Sequence, residues 1–297
     1  MGLGQFKIEI ENKMIEEIFH KISDEQINRI QQVCEQYGED DIATRYYDVY
    51  VISTNSGNKI LKKTERREVL NYEGYLVNHS FSVPDYLGKY EDGINIWILV
   101  EAVEGNDLRD MTDEIAIEAA NSLADIQNAF WNNQDDERFE VYKKRIEKRF
   151  HYIKDVPVIG AAYSVFVKRQ LLCPRTMSNG DFLEFNAVYC DSKVVVIDWG
   201  FGGIMPYSLD IARFIAHATE DRATFPFYMN KKQKQLFVNR VYEKLQQKPE
   251  YSEYLFDIKL AVLNEYVEFI EADEDETGWY YNHALKLAKE ILAVSLN

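Results

Sequence analysis

The sequence predicts an α+β protein made of a small β-rich N-terminal lobe and a larger, mainly helical C-terminal lobe. Three observations carry this. Runs of Tyr, Val, Ile and Thr separated by turn residues extend to Val100, and helical periodicity dominates from Thr112 onward. A single β interruption, 186–198, breaks the helical run. The connector 101–106 marks the change of character, so the expected division is 1–102 and 103–297.

Residues 11–35 read as helix, with Ser23-Asp24-Glu25-Gln26 resembling a helix start and Ile27, Ile30 and Val33 forming a stripe. Ala43–Thr54 reads as a strand, Asn55-Ser56-Gly57-Asn58 as a hairpin turn and Lys59–Lys63 as the return strand. Glu65–Val77 reads as a helix stopped by Val83-Pro84. Strands follow at Tyr86–Tyr90 and Ile94–Val100, joined by Glu91-Asp92-Gly93. Beyond the connector, helices are expected over 112–130, 136–154, 161–171 and 209–218, and in several segments after Lys231.

Composition narrows the function classes. Fifty Asp+Glu against 34 Lys+Arg leave a net charge of −16, which argues against a nucleic-acid or anionic-membrane binder, because both need clustered Lys and Arg. Cys34, Cys173 and Cys190 form no C-x-x-C pair and read as thiols of a reducing compartment. The five histidines lack zinc spacing. The start resembles neither a signal peptide nor a myristoylation site, and apolar runs such as Val194–Ile197 are too short to span a membrane. A cytoplasmic protein with no obligate protein partner is expected.

The chemistry-bearing stretch runs from Ser178-Asn179-Gly180-Asp181 to Asn186, then through Asp191-Ser192-Lys193 to Ile197-Asp198-Trp199-Gly200. Two short β runs around Asp-Ser-Lys predict an antiparallel hairpin with a three-residue turn. That register pairs Cys190 with Val194 and Ala187 with Ile197, leaving Asn186 and Asp198 side by side at the open end. An amide oxygen beside a carboxylate is a hard donor set of the kind Mg²⁺ accepts, with phosphate oxygens and water completing the shell. Asp181, on a Gly-containing loop five residues upstream of Asn186, can accept the proton of an incoming hydroxyl. Each residue alone is as well explained by an Asx turn or a cap. The three together, at D-x₄-N spacing, point to chemistry.

These residues resemble the aminoglycoside phosphotransferase and choline kinase family, small-molecule kinases whose pattern is H-G-D-x-x-x-x-N, a short hairpin, I-D-W/F/Y and a later P-x-x-D-[IL]-A. The counterparts here are Asn179-Gly180-Asp181…Asn186, Ile197-Asp198-Trp199-Gly200 and Pro206-Tyr207-Ser208-Leu209-Asp210-Ile211-Ala212. The resemblance implies a two-lobed protein-kinase-like fold, with ATP or GTP as co-substrate and Mg²⁺ as cofactor. It makes Asp181 the catalytic base, Asn186 and Asp198 the metal ligands and Asp210 a brace for the catalytic loop. Asn179 stands where the family has His, which opens the alternative of a degenerate, nucleotide-binding protein. No A-P-E segment follows Asp198, which disfavours a protein kinase.

The same template asks for a strand lysine that reaches the phosphates and pairs with a helix glutamate. Lys59-Ile60-Leu61-Lys62 fits in outline, which favours Lys62, with Lys63 open to a one-residue slip. Glu73 is the expected partner and Glu68 the alternative. Backbone groups of Glu101–Val103 match the family hinge that would hold the purine. No G-x-G-x-x-G precedes the lysine. The region Gln36–Tyr50 offers only Gly38, so a phosphate-covering loop at Asp40–Arg45 would be glycine-poor.

The expected acceptor is a small hydroxylated molecule, either aminoglycoside-like or otherwise cationic, or a metabolite such as choline, a sugar or an amino-alcohol. Glu220-Asp221 and the run Glu271–Glu276 could receive a cation, although such a run is more simply a solvated loop. Trp199 and Trp279-Tyr280-Tyr281 allow cation–π binding, but aromatics at helical spacing are more often core.

Overall fold

The computed structural model describes residues 5–37, 43–218 and 227–295. Gly38 and positions 40–42 of the anticipated phosphate-covering loop lie outside these residues, as does Glu220-Asp221. The chain forms two compact units, Met1–Leu108 with Phe185–Phe201, and Arg109–Glu184 with Gly202–Asn297. The first unit therefore recruits a segment from the middle of the chain.

The chain begins with β1 (Gln5–Glu9), α1 (Lys13–His20), β2 (Ile27–Tyr37), β3 (Ala43–Thr54) and β4 (Gly57–Thr64). It continues through α2 (Arg66–Asn71) and a π-helical turn (Tyr72–Leu76) to β5 (Tyr86–Glu91), β6 (Ile96–Glu101) and β7 (Asn106–Asp107). The second unit opens with α3 (Asp113–Ala129), α4 (Glu137–Ile153), α5 (Pro157–Gln170) and β8 (Arg175–Ser178). The hairpin β9 (Ala187–Cys190) and β10 (Lys193–Val196) belongs to the first unit. Then β11 (Gly203–Pro206), α6 (Ser208–Ala216), α7 (Lys231–Lys244), α8 (Tyr251–Glu271) and α9 (Trp279–Ser295) complete the second. This is the expected α+β arrangement, with an antiparallel sheet in the N-terminal region and helices in the C-terminal region.

The first unit's main sheet has the order β1-β2-β3-β4-β6-β5. On one face, Ile15, Ile18 and Phe19 of α1 pack against Ile30, Ile52, Leu61, Trp97 and Leu99. Asn12 caps α1 by accepting from the amides of Met14 and Ile15. The opposite face carries Val33, Val49, Val51, Ile60, Lys62 and Ile98 into a cleft of 650 Å³. Alternation along β4 decides between its two lysines. Lys62 shares the cleft face with Ile60, whereas Lys63 shares the opposite face with Leu61 and meets Asp48 there.

The helix expected over 11–35 is only half present: α1 ends at His20 and residues 27–37 are strand. The reason is a β-bulge. Ile27 opposes Thr54 while Arg29 opposes Ser53, so β2 carries one extra residue between them. That residue puts Ile27 and Ile30 on one face at a spacing of three, imitating a helical period. The helix-start signal also serves a turn. The Ser23 hydroxyl accepts from the Glu25 amide, and the Glu25 carboxylate accepts from Thr54 and Ser56.

In the second unit α5, α8 and α9 enclose a core that includes Phe166, Leu260 and Ile291. The ribbon β8–β11, paired from Gly203↔Ser178 to Pro206↔Arg175, holds the two ends of the segment 179–202, which contains the candidate residues Asp181, Asn186 and Asp198.

The β9–β10 hairpin differs from expectation by one residue. Lys193 opposes Cys190 and Val196 opposes Ala187, so the turn is the two-residue Asp191-Ser192. Both turn residues have positive φ, 48° and 59°, as a type I′ turn requires. The right-handed twist of the strands favours that turn over a looser three-residue one. Asn-Gly is the preferred pair for this geometry, so the double substitution Asp191→Asn/Ser192→Gly is expected to stabilise the protein by about 1 kcal/mol. Chemical denaturation checks this, and a neutral or negative change would refute the turn assignment.

Candidate active site

The first unit's site is built around Lys62. Its ammonium donates to Asp198 Oδ1 at 2.7 Å and lies 3.1 Å from Glu68 Oε2. Burial works against the charged amine, but the two carboxylates outweigh it and hold the Lys62 pKa above the ordinary lysine value. Glu68 is almost fully buried and also accepts from the Thr64 hydroxyl. Lys62 is thus paired through Glu68, the alternative the sequence offered, and not through Glu73. Glu73 accepts instead from Tyr86 and Lys89 on β5, an exposed arrangement. Helix geometry explains the difference. Glu68 lies in α2 and Glu73 lies five residues on in the π-helical turn, so the two side chains leave the helix on different faces. Asn71 and Tyr72, three and four residues on from Glu68, are buried alongside it, and Asn71 donates to the Trp199 carbonyl.

Asn186 and Asp198 both line the cleft. The observed register opposes Asn186 to Ile197, whose amide donates to the Asn186 carbonyl at 2.9 Å, and not to Asp198. In a regular strand that one-residue slip would turn Asp198 to the opposite face. Asp198 escapes by adopting φ 56°, a left-handed conformation that Asp tolerates better than most residues, and this aims its carboxylate at Lys62. Expectation and structure therefore agree on the grouping and differ on the register that produces it.

At the connector, the amides of Glu101 and Ala102 donate to the carbonyls of Asp85 and Asn58. The Glu101 carboxylate turns to Lys59 at 2.6 Å, while the Val103 amide makes no hydrogen bond among the described residues. Glu101 and Val103 both border the cleft. Gly105 lets the chain pass close to β9, since a Cβ there would lie 2.4 Å from the Tyr189 carbonyl.

The second unit holds Asp181. The buried Asp210 carboxylate accepts from Ser178 Oγ at 2.7 Å and from the amides of Asn179 at 2.7 Å and Gly180 at 3.0 Å, which ties the loop to α6. Burial still pushes the Asp210 pKa up to about 6, against the lowering effect of those three donors. Asn179 is also buried, and its Oδ1 accepts from the Asp181 amide at 3.2 Å. The residue in the usual His position therefore still organises the loop.

Two features of this unit were invisible in the sequence. Arg213 of α6 donates to Asp181 Oδ1 from both Nε (3.1 Å) and Nη2 (2.8 Å), and its Nη1 donates to Glu265 at 2.7 Å. Burial would raise the Glu265 pKa, but Arg213 and His217 hold that carboxyl well below the usual range. Glu184, three residues after Asp181, is fully buried, and neither of its oxygens has a hydrogen-bond partner among the described residues. Its pKa rises to about 8 through burial.

The acidic run Glu271–Glu276 has structural partners. Glu271 pairs with Lys148, and Asp275 accepts from the amides of Tyr280 and Tyr281 at the start of α9. Tyr280 is core, and Trp279 stacks on His283.

The profile of the phosphotransferase enzyme family matches residues 46–246, more than half of the chain, and the protein belongs to that family. Among solved structures it is similar to the amicoumacin kinase hAmiN in complex with AMP-PNP, Ca²⁺ and Ami, with 14% identity, TM-score 0.62, and 95% of this chain and 93% of that chain covered. It is also similar to a choline kinase from Cryptosporidium parvum Iowa II, at 12% identity, TM-score 0.59, with 96% and 97% covered. A third is the aminoglycoside-3'-phosphotransferase of type VIII, at 14% identity, TM-score 0.54, with 84% and 99% covered. These likenesses establish the protein-kinase-like fold. No curated protein matches the chain. No helix among the described residues is long and apolar enough to cross a membrane.

Glu184 yields a pH prediction. Its carboxyl holds a proton more tightly when folded than when unfolded, so its contribution is complete below the ordinary glutamate pKa. That contribution is lost as pH rises through about 8. The expected slope between these limits is up to about 1.4 kcal/mol per pH unit. Glu184→Gln cannot ionise and should remove that slope. Urea denaturation of both proteins at pH 5 and pH 8 tests this, and parallel losses in the two proteins would refute it.

Proposed function

We propose that the protein transfers the terminal phosphate of ATP or GTP to a hydroxyl of a small molecule. The observation that carries this reading is the cleft itself, where Lys62 is held by Glu68 and Asp198 and where Asn186 contributes an amide at the open end of the hairpin. Lys62 orients the phosphates, Glu68 fixes the lysine, and the Val103 amide with the Glu101 backbone receives the base. Asn186 and Asp198 present hard oxygen donors in one cleft, which suits Mg²⁺. When bound, the ion would neutralise charge on the terminal phosphates. Asp181 is the proposed catalytic base, on the strength of its D-x₄-N spacing from Asn186 and of a loop tied down by Asp210. It would orient the acceptor hydroxyl and take its proton. Positioning and electrostatic stabilisation would supply most of the rate.

The proposed acceptor is a hydroxylated, cationic compound of the aminoglycoside type. A metabolic amino-alcohol such as choline is the second candidate, because the fold is shared with kinases named for both kinds of substrate. The alternative of a degenerate nucleotide-binding protein rests on Asn179 and on the glycine-poor stretch Gln36–Tyr50, and the bond from the Asp181 amide to Asn179 weighs against the first of these grounds.

The test is transfer of labelled phosphate from ATP or GTP with Mg²⁺, across a panel of aminoglycosides, amicoumacin, choline and ethanolamine. Acceptor-dependent turnover should fall at least 10³-fold in Asp181→Asn. Nucleotide binding without turnover on any acceptor would favour the scaffold reading, and failure to bind nucleotide would overturn both readings. A second measurement separates the glutamates. Glu68→Gln should lower kcat/KM more than tenfold, while Glu73→Gln should leave it within about twofold. Equal effects would refute the assigned pairing.

A further inference from the structure

We propose that Lys7, on the edge strand β1, is a second phosphate-binding cation, reaching the nucleotide from the side of the cleft opposite Lys62; this rests on the nucleotide reading above. The argument comes from sheet register. Lys7 opposes Val33. Val33 lies between the pairs Gln32↔Tyr50 and Cys34↔Tyr46, opposite the irregular part of β3 that contains Tyr47 and Val49. Val49 opposes Lys62, which opposes Ile98. Lys7, Val33, Val49, Lys62 and Ile98 therefore form one transverse row on one face, and all five line the cleft. Lys7 and Lys62 stand three strand spacings apart, about 14 Å between backbones. Each carries a flexible four-carbon stem, so both ammonium groups can converge on one polyphosphate chain.

Charge favours a second lysine beside the metal ion of the proposed function. Among the described residues the cleft is bordered by Glu68, Glu101, Glu104, Asp107 and Asp198 against Lys7 and Lys62. Lys62 is already shared between Glu68 and Asp198. Lys7 is exposed and makes no hydrogen bond or ion pair among the described residues, so its charge is uncommitted. The sequence between Gln36 and Tyr50 also has a single glycine, Gly38, and so lacks the means for a close backbone cradle of amides around phosphate. A mobile point charge is the available substitute. A lysine on an edge strand can also simply discourage edge-to-edge pairing, and that role would leave nucleotide affinity untouched.

The experiment is calorimetric titration of the full chain with Mg²⁺–ATP and with adenosine, at low and high salt, for wild type, Lys7→Gln, Lys7→Arg and Lys62→Gln. Lys7→Gln should weaken ATP binding about five- to tenfold, leave adenosine within twofold and flatten the salt dependence, because an exposed charge acts through screened electrostatics. Lys7→Arg should retain most of the affinity. Unchanged ATP affinity in Lys7→Gln, with wild type binding normally, would overturn this inference alone, as would equal loss for ATP and adenosine. A wild-type protein that binds no nucleotide would overturn the kinase reading together with it.

Discussion

The arrangement of the first unit depends on one ion cluster, Lys62 between Glu68 and Asp198. An ammonium taken out of water is costly, and the cost is met only if partners arrive with good geometry from elsewhere in the fold. Three elements must cooperate. β4 must place Lys62 on the cleft face, α2 must follow within a few residues so that Glu68 reaches back, and the recruited segment 185–201 must deliver Asp198. The local strain at Asp198, with φ 56°, belongs to this same requirement. A left-handed aspartate is an unfavourable choice in isolation and a useful one where a carboxylate must be turned to a cation.

The parts of the site legible in the sequence were those fixed by short-range pattern. Asp181, Asn186 and Asp198 stand out as candidates because loop, hairpin and following turn lie within twenty residues, and the outline Lys59-Ile60-Leu61-Lys62 favours Lys62 over Lys63, with strand alternation then placing Lys62 on the cleft face. What failed depended on geometry that sequence spacing does not carry. Glu73 has the right residue type near the right place, but its angle around the helix belongs to Lys89 and Tyr86. The β2 strand was hidden because a bulge gave its apolar residues a spacing of three. β1 was hidden because five residues, Gln5–Glu9, make too short an alternation to stand out without their partner strand. Its lysine therefore carries no signal in the sequence, although register places it level with Lys62.

The same limit applies to Arg213. Nothing in a helix sequence reveals that an arginine points to a carboxylate thirty-two residues earlier, since that contact follows from the β8–β11 ribbon and the Asp210 brace. Asp210 was legible as a motif position, and its structural role follows from its three donors. Tethering the loop through a buried acid explains why Asn179 can stand in the loop. The backbone of 178–180 is held by α6, so the residue at 179 needs only to fit and to accept the Asp181 amide.

The net charge of −16 acquires a different meaning once the partners are known. Ion pairs leave that total unchanged, but they fix which carboxylates are already engaged within their own unit: Asp257 by Arg169 and the Tyr207 hydroxyl, Glu265 by Arg213, Glu271 by Lys148. Glu184 has no hydrogen-bond partner among the described residues, and burial raises its pKa to about 8, which favours the neutral form at neutral pH. Asp181 itself meets an arginine before it meets any acceptor. A cationic acceptor would therefore encounter a compensated carboxylate at the proposed reacting position, not a bare acidic patch. Its positive groups would have to be read by carboxylates outside the Arg213 cluster, or Arg213 would have to yield Asp181 to them. Either way the net charge sets only the long-range field, and affinity for a cation depends on which carboxylates near the acceptor are left uncompensated.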